Sequence, residues 1–161
     1  MASAGLLGPG NPAAEPGVTV ASESGLDLTR HRSRRMSPEA LRGADLVLGM
    51  ASEHVREAVL MVPEVFPRAF TLRDLLHRGQ SLGPRKPDEP VAGWLARAHL
   101  GRTHRSLLAA PATDDVPDPI GGPRRAYETM LAELTELVDG LVELLWPAGT
   151  DAVTPGADRN R

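Results

Sequence analysis

The residues with the clearest chemical potential form the run Asp115-Val116-Pro117-Asp118-Pro119-Ile120-Gly121-Gly122. A proline pushes the residue before it toward extended backbone, which helps to hold the Asp118 carboxylate out from a loop. A carboxylate presented in this way could give or take a proton in general acid–base catalysis. An aspartate before a proline is also a common solvated turn residue. The run alone leaves both interpretations open, and the neighbouring Asp114 and Asp115 are expected to be solvated.

The other candidate groups do not form a metal or nucleophile motif. His99 and His104 are five residues apart, which does not align them on one helix face, and His54 and His77 add no recognised spacing. The sequence contains no H-E-x-x-H, Walker-type or G-x-S-x-G motif. It also contains no cysteine, which excludes disulfides and thiolate metal sites. The sequence therefore predicts neither a metal nor a cofactor.

Length and composition predict one globular domain. The chain has 161 residues, of which 41% are hydrophobic but only 3% are aromatic. The net charge of −3 argues against a general nucleic-acid binder, and the four arginines between Arg30 and Arg35 are expected to lie on a solvated connection. Because the sequence shows neither an apolar run of membrane length nor a signal peptide, no membrane partner is expected, and a cytoplasmic location is the default. The Ala, Gly, Pro and Arg content suggests a bacterial source.

Hydrophobic patterns and the positions of Gly and Pro predict short strands alternating with helices. Strands are predicted at residues 46–50 and 69–72, and the end of a strand with the turn after it is predicted at residues 2–6. Helices are predicted from Pro16 to Ser24, from Pro38 to Gly43 after an N-cap at Ser37, from an N-cap at Ser52 to Val62, as a short turn to Leu76, from Asp88 to Ala110, and from Arg124 to Trp146. Residues 78–87 are predicted to form a loop, and residues 148–161 a disordered tail.

Helical spacing also predicts which side chains reach the core. The segment from Asp88 is expected to bury Trp94, Leu95, Ala98 and Leu107. The last helix has the strongest periodicity of the chain, at Tyr127, Met130, Leu131, Leu134, Leu137, Val138, Leu141, Leu144 and Leu145.

The alternation of strands and helices predicts an α/β fold with a parallel sheet. Three strands are few for such a sheet, and the count is short by one strand–helix–strand unit, or about 30 residues.

Five short segments, in this order, resemble the low-molecular-weight protein tyrosine phosphatases. They are Ser3-Ala4-Gly5-Leu6, Gly25-Leu26-Asp27-Leu28, His31-Arg32-Ser33-Arg34-Arg35, Ala44-Asp45-Leu46-Val47-Leu48-Gly49-Met50 and Asp115-Val116-Pro117-Asp118-Pro119. The resemblance covers residues 2–146 apart from a variable insertion at residues 78–114, and implies a phosphatase-like domain over residues 1–147. It implies a flavodoxin-like, three-layer fold whose ligand site lies at the carboxyl ends of the strands.

The resemblance also implies a reaction and roles for particular residues. The family hydrolyses phosphotyrosine and similar phosphate monoesters through a phosphocysteine. By resemblance, Asp118 is the general acid that protonates the leaving oxygen and then activates water. Ile120 lies where the family has an aromatic wall of the substrate cleft, which puts a preference for phosphotyrosine in doubt. Ser3 and His31 match positions that support the phosphate-binding loop. The implied partner is a phosphorylated protein or a small phosphomonoester.

The sequence departs from this family at its most important point. The first strand, the C-x5-R phosphate loop with its nucleophilic cysteine and arginine, and the first helix are absent, so the chain is expected to be catalytically inactive. Two explanations remain open: a misassigned coding start, which we favour, and a genuine truncation. The alternative function is a non-enzymatic interaction protein that uses an exposed sheet edge for partners or self-association. An arsenate reductase is disfavoured because its chemistry needs redox cysteines.

Overall fold

A computed structural model describes residues 3–6 and 8–147. The two strands are β1 (Val47–Gly49) and β2 (Ala69–Thr71). The helices are α1 (Glu15–Glu23), α2 (Pro38–Arg42), α3 (Ser52–Met61), α4 (Leu72–Leu82), α5 (Val91–His99), α6 (His104–Leu108) and α7 (Arg124–Leu145), with short 3₁₀ turns at Pro63–Arg68 and Ala112–Asp114. The tail predicted at residues 148–161 lies outside the described residues.

The sheet is parallel, as the sequence predicted, but it is small. Strand β1 pairs with β2, with Val47 opposite Ala69 and Gly49 opposite Thr71. The strand end predicted at residues 2–6 is reduced, within the described residues, to one parallel bridge between Gly5 and Arg35. The Gly5 amide donates to the Arg34 carbonyl (2.8 Å), and its carbonyl accepts from the Met36 amide (2.9 Å). The α/β class is confirmed, while the N-terminal strand pairs through a single residue.

The N-terminal caps of α2 and α3 show one correct and one incorrect prediction. The Ser37 hydroxyl accepts a hydrogen bond from the Ala40 amide at 3.3 Å, so Ser37 caps α2 as predicted. Ser52 was predicted to cap α3 but is the first residue inside that helix, and Ala51 occupies the cap position. Ala51 has no side-chain acceptor; its carbonyl accepts from the His54 amide at 3.0 Å, but the Ser52 amide must find its acceptor elsewhere in the fold.

Helix α4 extends beyond its predicted end. The prediction of a loop at residues 78–87 was wrong for its first part, because α4 continues to Leu82 and ends before Gly83, whose φ is 85°. Gly79 permits close packing inside this helix: a Cβ there would lie 2.7 Å from Leu144 Cδ1 and 2.9 Å from the Trp94 ring. A glycine that resembled a loop signal in sequence therefore serves close helix packing.

The single helix predicted from Asp88 to Ala110 was also wrong, because the chain forms two helices. Helix α5 ends at His99, and Gly101 adopts a φ of 77°, which lies in the left-handed region and interrupts the helical path. Thr103 then caps α6: its hydroxyl accepts from the Ser106 amide at 3.0 Å, and the Ser106 hydroxyl accepts from the Thr103 amide at 2.9 Å. A favourable glycine stop and a new capping box outweigh the continuous hydrophobic pattern.

Two hydrophobic clusters form the core. One lies around α3, the Pro63–Arg68 turn and β2, and it includes Val55, Val62 and Phe66. The other joins β2, α4, α5 and α7 around the fully buried Trp94. All four core residues predicted in the segment from Asp88 are buried: Trp94, Leu95, Ala98 and Leu107.

Helix α7 packs against α1 near its start and against α4 near its end. Its periodic residues Tyr127, Leu141 and Leu145 are buried, as predicted, whereas Val138 is 45% exposed. Arg85 caps the C-terminus of the helix: its Nε donates to the Leu145 carbonyl at 2.6 Å. No helix in the described part of the chain is long and apolar enough to cross a bilayer.

Candidate active site

The loop that contains Asp118 is attached to the carboxyl end of β1. The Val116 amide donates to the Met50 carbonyl at 2.7 Å, immediately after β1. The Asp115 carboxylate accepts two hydrogen bonds from Ser52, one from the backbone amide and one from the hydroxyl, each at 2.7 Å. Asp115 therefore supplies the acceptor that Ala51 lacks at the N-terminus of α3, where the helix dipole favours a negative charge.

This arrangement corrects the expectation that Asp115 is merely solvated. Ser52 is almost fully buried, and the Asp115 carboxylate satisfies both its hydroxyl and its amide. Sequence analysis missed the pair because the two residues are 63 positions apart. The only available signal was the alanine at the α3 cap position, which leaves a helix N-terminus in need of a distant acceptor.

A tight turn holds Asp118 at the tip of the loop. Its side chain is exposed, and Oδ1 accepts a hydrogen bond from the Ile120 amide at 2.9 Å. The Gly122 amide donates to the Pro119 carbonyl at 2.8 Å, and Gly121 between them has a φ of 75°. A Cβ on Gly122 would lie 2.9 Å from the Pro119 oxygen. The backbone therefore presents the Asp118 carboxylate to solvent in a defined direction.

Of the other predicted site residues, Ile120 lies in this loop, and Ser3 and His31 lie in the N-terminal region of the chain. Ile120 directly follows the Asp-Pro pair, and its side chain is 69% exposed. Ser3 is exposed and His31 is half-buried. Within residues 3–6 and 8–147, neither the Ser3 hydroxyl nor the His31 ring makes a hydrogen bond, and none connects them to Asp118. The structure thus places the predicted acid and its neighbour together but does not join the two predicted supporting residues to them.

A cleft of about 310 Å³ is lined by Ser52 and by Asp114, which precedes the loop, whereas Asp118 is not among its lining residues. It lies at the carboxyl end of β2, and its polar lining includes Asp74, Arg78, Arg102 and Asp114. The Arg78 Nε donates to Asp74 at 2.7 Å, and Arg102 lies 3.5 Å from the other Asp74 oxygen while its Nη2 donates to the Ala69 carbonyl at 2.7 Å. The two guanidinium groups are therefore largely occupied by protein partners.

Burial changes the pKa of two groups in this cleft. Burial lowers the pKa of Arg102 to about 10, although the nearby Asp74 carboxylate opposes that change. The pKa of Asp114 is raised, first by burial and then by the negative charges of Asp74 and Asp115. The cleft thus contains carboxylates, guanidinium groups and hydroxyls, and the sequence provides no thiol nucleophile to it.

The histidines do not form a metal centre. His99 and His104 both contact the Phe66 ring, with ring centroids 4.9 and 4.4 Å away respectively. In the described part of the chain, no group of three or more histidine, aspartate or glutamate side chains is arranged to hold a metal ion.

Comparison with known proteins connects this arrangement to a family. The family model described as low molecular weight phosphotyrosine protein phosphatase matches residues 1–87. The low molecular weight protein-tyrosine-phosphatase Etp of Escherichia coli K12 is 32% identical over 92 residues, which cover 55% of this chain and 62% of that relative. The same figures hold for its counterpart in E. coli O157:H7. The chain thus spans less than two thirds of the length of these relatives.

Solved structures agree over a larger part of the chain. A low molecular weight protein tyrosine phosphatase from T. tengcongensis superposes with a TM-score of 0.63 and 31% identity, covering 89% of this chain and 76% of that one. The YwlE arginine phosphatase from Geobacillus stearothermophilus gives a TM-score of 0.61 and 26% identity, with coverages of 88% and 71%. These structures share the α/β fold with its parallel sheet. This chain belongs to the low molecular weight phosphotyrosine protein phosphatase family.

Proposed function

We propose that the protein is a phosphatase-like member of this family that acts on phosphate monoesters, with Asp118 as the general acid. The family model match supports the phosphatase-like assignment, and the turn that presents the Asp118 carboxylate to solvent supports the role of Asp118. In the family reaction, Asp118 would give its proton to the leaving oxygen and would then take a proton from the water that cleaves the phosphoenzyme. The Asp118 loop lies beyond the residues that the family model matches, so its role rests on the motif and the geometry.

The observation that limits this function is the complete absence of cysteine from the chain. The phosphoenzyme step needs a thiolate. The buried hydroxyls that line the cleft serve the fold instead: Ser52 donates to the Asp115 carboxylate, which also accepts from the Ser52 amide at the start of α3, and Thr71 accepts from the Asp74 amide at the start of α4. We therefore propose that the 161 residues are catalytically inactive on their own.

The test is hydrolysis of p-nitrophenyl phosphate by the purified 161-residue chain. The expected rate is that of the buffer, and Asp118→Asn should leave it unchanged. A contaminating phosphatase would produce turnover that also survives Asp118→Asn, so this variant serves as the control. Turnover that requires Asp118 in this cysteine-free chain would show that the proposed inactivity is wrong.

The substrate class follows from the relatives only in outline. Solved relatives include both tyrosine phosphatases and an arginine phosphatase, so the fold accommodates more than one phosphorylated side chain. The aliphatic, exposed Ile120 provides no aromatic wall beside Asp118. We propose a phosphorylated protein or a small phosphomonoester as the substrate class, a cytoplasmic location, and a phosphatase-like domain over residues 1–147 in which residues 78–114 are a variable insertion.

The second candidate function is an interaction module that uses the free edge of β1. In the described part of the chain, the side of β1 that faces away from β2 makes no backbone hydrogen bond to another segment, and Leu48 on this strand is partly exposed. A partner strand could pair with this edge. Hydrogen exchange tests the idea: the amides of residues 46–49 should gain protection when a partner binds, and unchanged exchange would exclude edge pairing.

A further inference from the structure

One side of α7, continued by Trp146 directly after the helix, exposes apolar side chains. Val138, Val142 and Trp146 follow one another at intervals of four residues, and they are 45%, 45% and 56% exposed. Residues at this spacing form a continuous stripe along one side of a helix. An exposed tryptophan at the end of an apolar stripe is typical of a surface that binds another protein.

The same part of α7 is strongly acidic. From Ala126 to Pro147 the sequence contains five carboxylates and no lysine, arginine or histidine. Glu128 and Glu133 form ion pairs with Arg124 and Arg73. The other three carboxylates, Glu136, Asp139 and Glu143, are exposed and have no ion pair within residues 3–6 and 8–147.

These two features lie next to each other and define one surface. Asp139 and Glu143 are each one position beyond Val138 and Val142, which places them beside the apolar stripe on its solvent side. We call this surface the acidic stripe; it consists of Val138, Val142 and Trp146 with Glu136, Asp139 and Glu143. Its chemistry requires a partner surface that combines apolar contact with several positive charges.

The chain itself carries such a surface, which we call the basic loop; it consists of Leu26 with Arg30, Arg32, Arg34 and Arg35. Leu26 is 52% exposed, and all four arginines are exposed. None of these arginines forms an ion pair in the described part of the chain. Arginine is enriched at protein interfaces because its guanidinium group combines charge with a weakly hydrated plane.

Backbone hydrogen bonds fix the shape of the basic loop. The Ser33 amide donates to the Asn11 carbonyl and the Gly10 amide donates to the Ser33 carbonyl, both at 2.8 Å. The Ser33 hydroxyl donates to the Gly8 carbonyl at 2.9 Å and accepts from the Asn11 amide at 3.0 Å. The arginines therefore extend from an ordered backbone, which reduces the entropy lost when a partner binds.

We propose that the acidic stripe of one copy of this chain binds the basic loop of a second copy. A twofold arrangement would use both surfaces of both copies, so that the contact occurs twice in each dimer and no surface is left open for further growth. Trp146 supplies the apolar centre of each contact, and the carboxylates and arginines determine its orientation. This surface is separate from the free edge of β1 and does not depend on the phosphatase reaction.

The test uses charge reversal in the full 161-residue chain. An acid-reversed variant carries Glu136→Lys, Asp139→Lys and Glu143→Lys, and a base-reversed variant carries Arg30→Glu, Arg34→Glu and Arg35→Glu. Wild-type chain should sediment as a dimer whose Kd rises at least about tenfold when salt is raised from about 50 to about 500 mM. Each variant alone should bind itself at least about 100-fold more weakly than wild type.

An equimolar mixture of the two variants should restore the dimer, because each reversed surface then meets a surface of opposite charge. Native mass spectrometry would show a heterodimer of the two variant masses. The control matched to the acid-reversed variant carries Asp45→Lys, Glu57→Lys and Glu64→Lys, which makes the same change in net charge as that variant at exposed positions outside both surfaces and should dimerise like wild type. Circular dichroism should show that all three variants remain folded.

Three outcomes would overturn the proposal. A monomeric wild-type chain at low salt would exclude the dimer. A dimer that persists in both reversed variants would assign self-association to another surface, such as the β1 edge. If the folded variants stay monomeric when mixed, the carboxylates of one copy do not contact the arginines of the other, and the proposed contact is wrong.

Discussion

Two regions of this molecule differ in opposite ways: one contains most of the family-like sequence segments, and the other contains more of the buried core. Residues 3–36 contain three of the five segments that resemble the phosphatase family, yet among the described residues of this region, 3–6 and 8–36, only Val20 and Ala21 are buried. Residues 72–114 contain none of those segments, yet they include Trp94, Leu72 and Leu75, which are among the largest fully buried side chains of the protein. Family resemblance and contribution to the core are therefore distributed separately along this chain.

The contacts of the two regions explain the difference. In residues 3–36, most hydrogen bonds join backbone groups of the same region, such as Gly5 with Arg34 and Gly10 with Ser33. In residues 72–114, α4 packs against α7 and α5 packs against the 3₁₀ turn before β2, while side chains of β2, α4, α5 and α7 form the cluster around the Trp94 ring. The helices of residues 72–114 therefore provide packing beyond what the two-stranded sheet supplies.

The largest expected effect comes from replacing the tryptophan at the centre of that packing. Trp94 is fully buried, and its Nε1 donates to the Gly83 carbonyl at 3.0 Å. Trp94→Ala should lower the free energy of unfolding by about 3–5 kcal/mol, because it removes a large apolar side chain and leaves a cavity. Val20→Ala, in the N-terminal region, should cost only about 1–2 kcal/mol. Urea unfolding followed by circular dichroism measures both, and equal losses would contradict the comparison between the two regions.

A smaller effect is expected at the base of the Asp118 loop. Asp115→Ala leaves the buried Ser52 hydroxyl and amide without their acceptor, which should cost about 2 kcal/mol of unfolding free energy. It should also increase hydrogen exchange at Val116, whose amide binds the Met50 carbonyl. Asp118→Asn is the matched control: Asp118 is exposed, and this change should stay within about 0.5 kcal/mol. Equal effects would show that Asp115 does not hold the loop.

The smallest expected effect is a dependence of folding stability on pH, which arises from His99 in residues 72–114. The pKa of His99 is lowered, first by burial and then by the positive charges of Arg102, Arg78 and His104. The unfolded chain, with a histidine pKa near 6.5, therefore binds a proton before the folded chain does as the pH falls. The stability that neutral His99 contributes is present above pH 6.5 and is lost as the pH falls from that value toward the folded pKa.

Thermal melts test this prediction. The melting temperature of the wild-type chain should fall between about pH 7.5 and about pH 5.5, and His99→Gln should reduce that fall without abolishing it, because other groups also titrate. His31→Gln, in the N-terminal region, provides a control with the same substitution at a half-buried site. If the control flattened the pH profile as much as His99→Gln, the dependence would not arise from the α5–α6 region.

The sequence by itself determined the features that depend on short-range chemistry. The cap at Ser37, the strand pair β1 and β2, the long periodic α7 and the exposed turn around Asp118 follow from local spacing and from the conformational preferences of proline and glycine. The absence of cysteine, and with it the absence of a thiol nucleophile from this chain, can also be read directly from the sequence.

Tertiary structure alone decided the features that depend on distant partners. Asp115 accepts from Ser52, 63 residues away, and no local pattern distinguishes this carboxylate from a solvated one. Gly79 lies inside α4 because Leu144 and Trp94 occupy the space that a side chain would need, whereas Gly101 ends α5 with a positive φ. Glycine therefore has opposite effects at these two positions. At position 79 it allows close packing inside a continuous helix, and at position 101 its positive φ ends a helix.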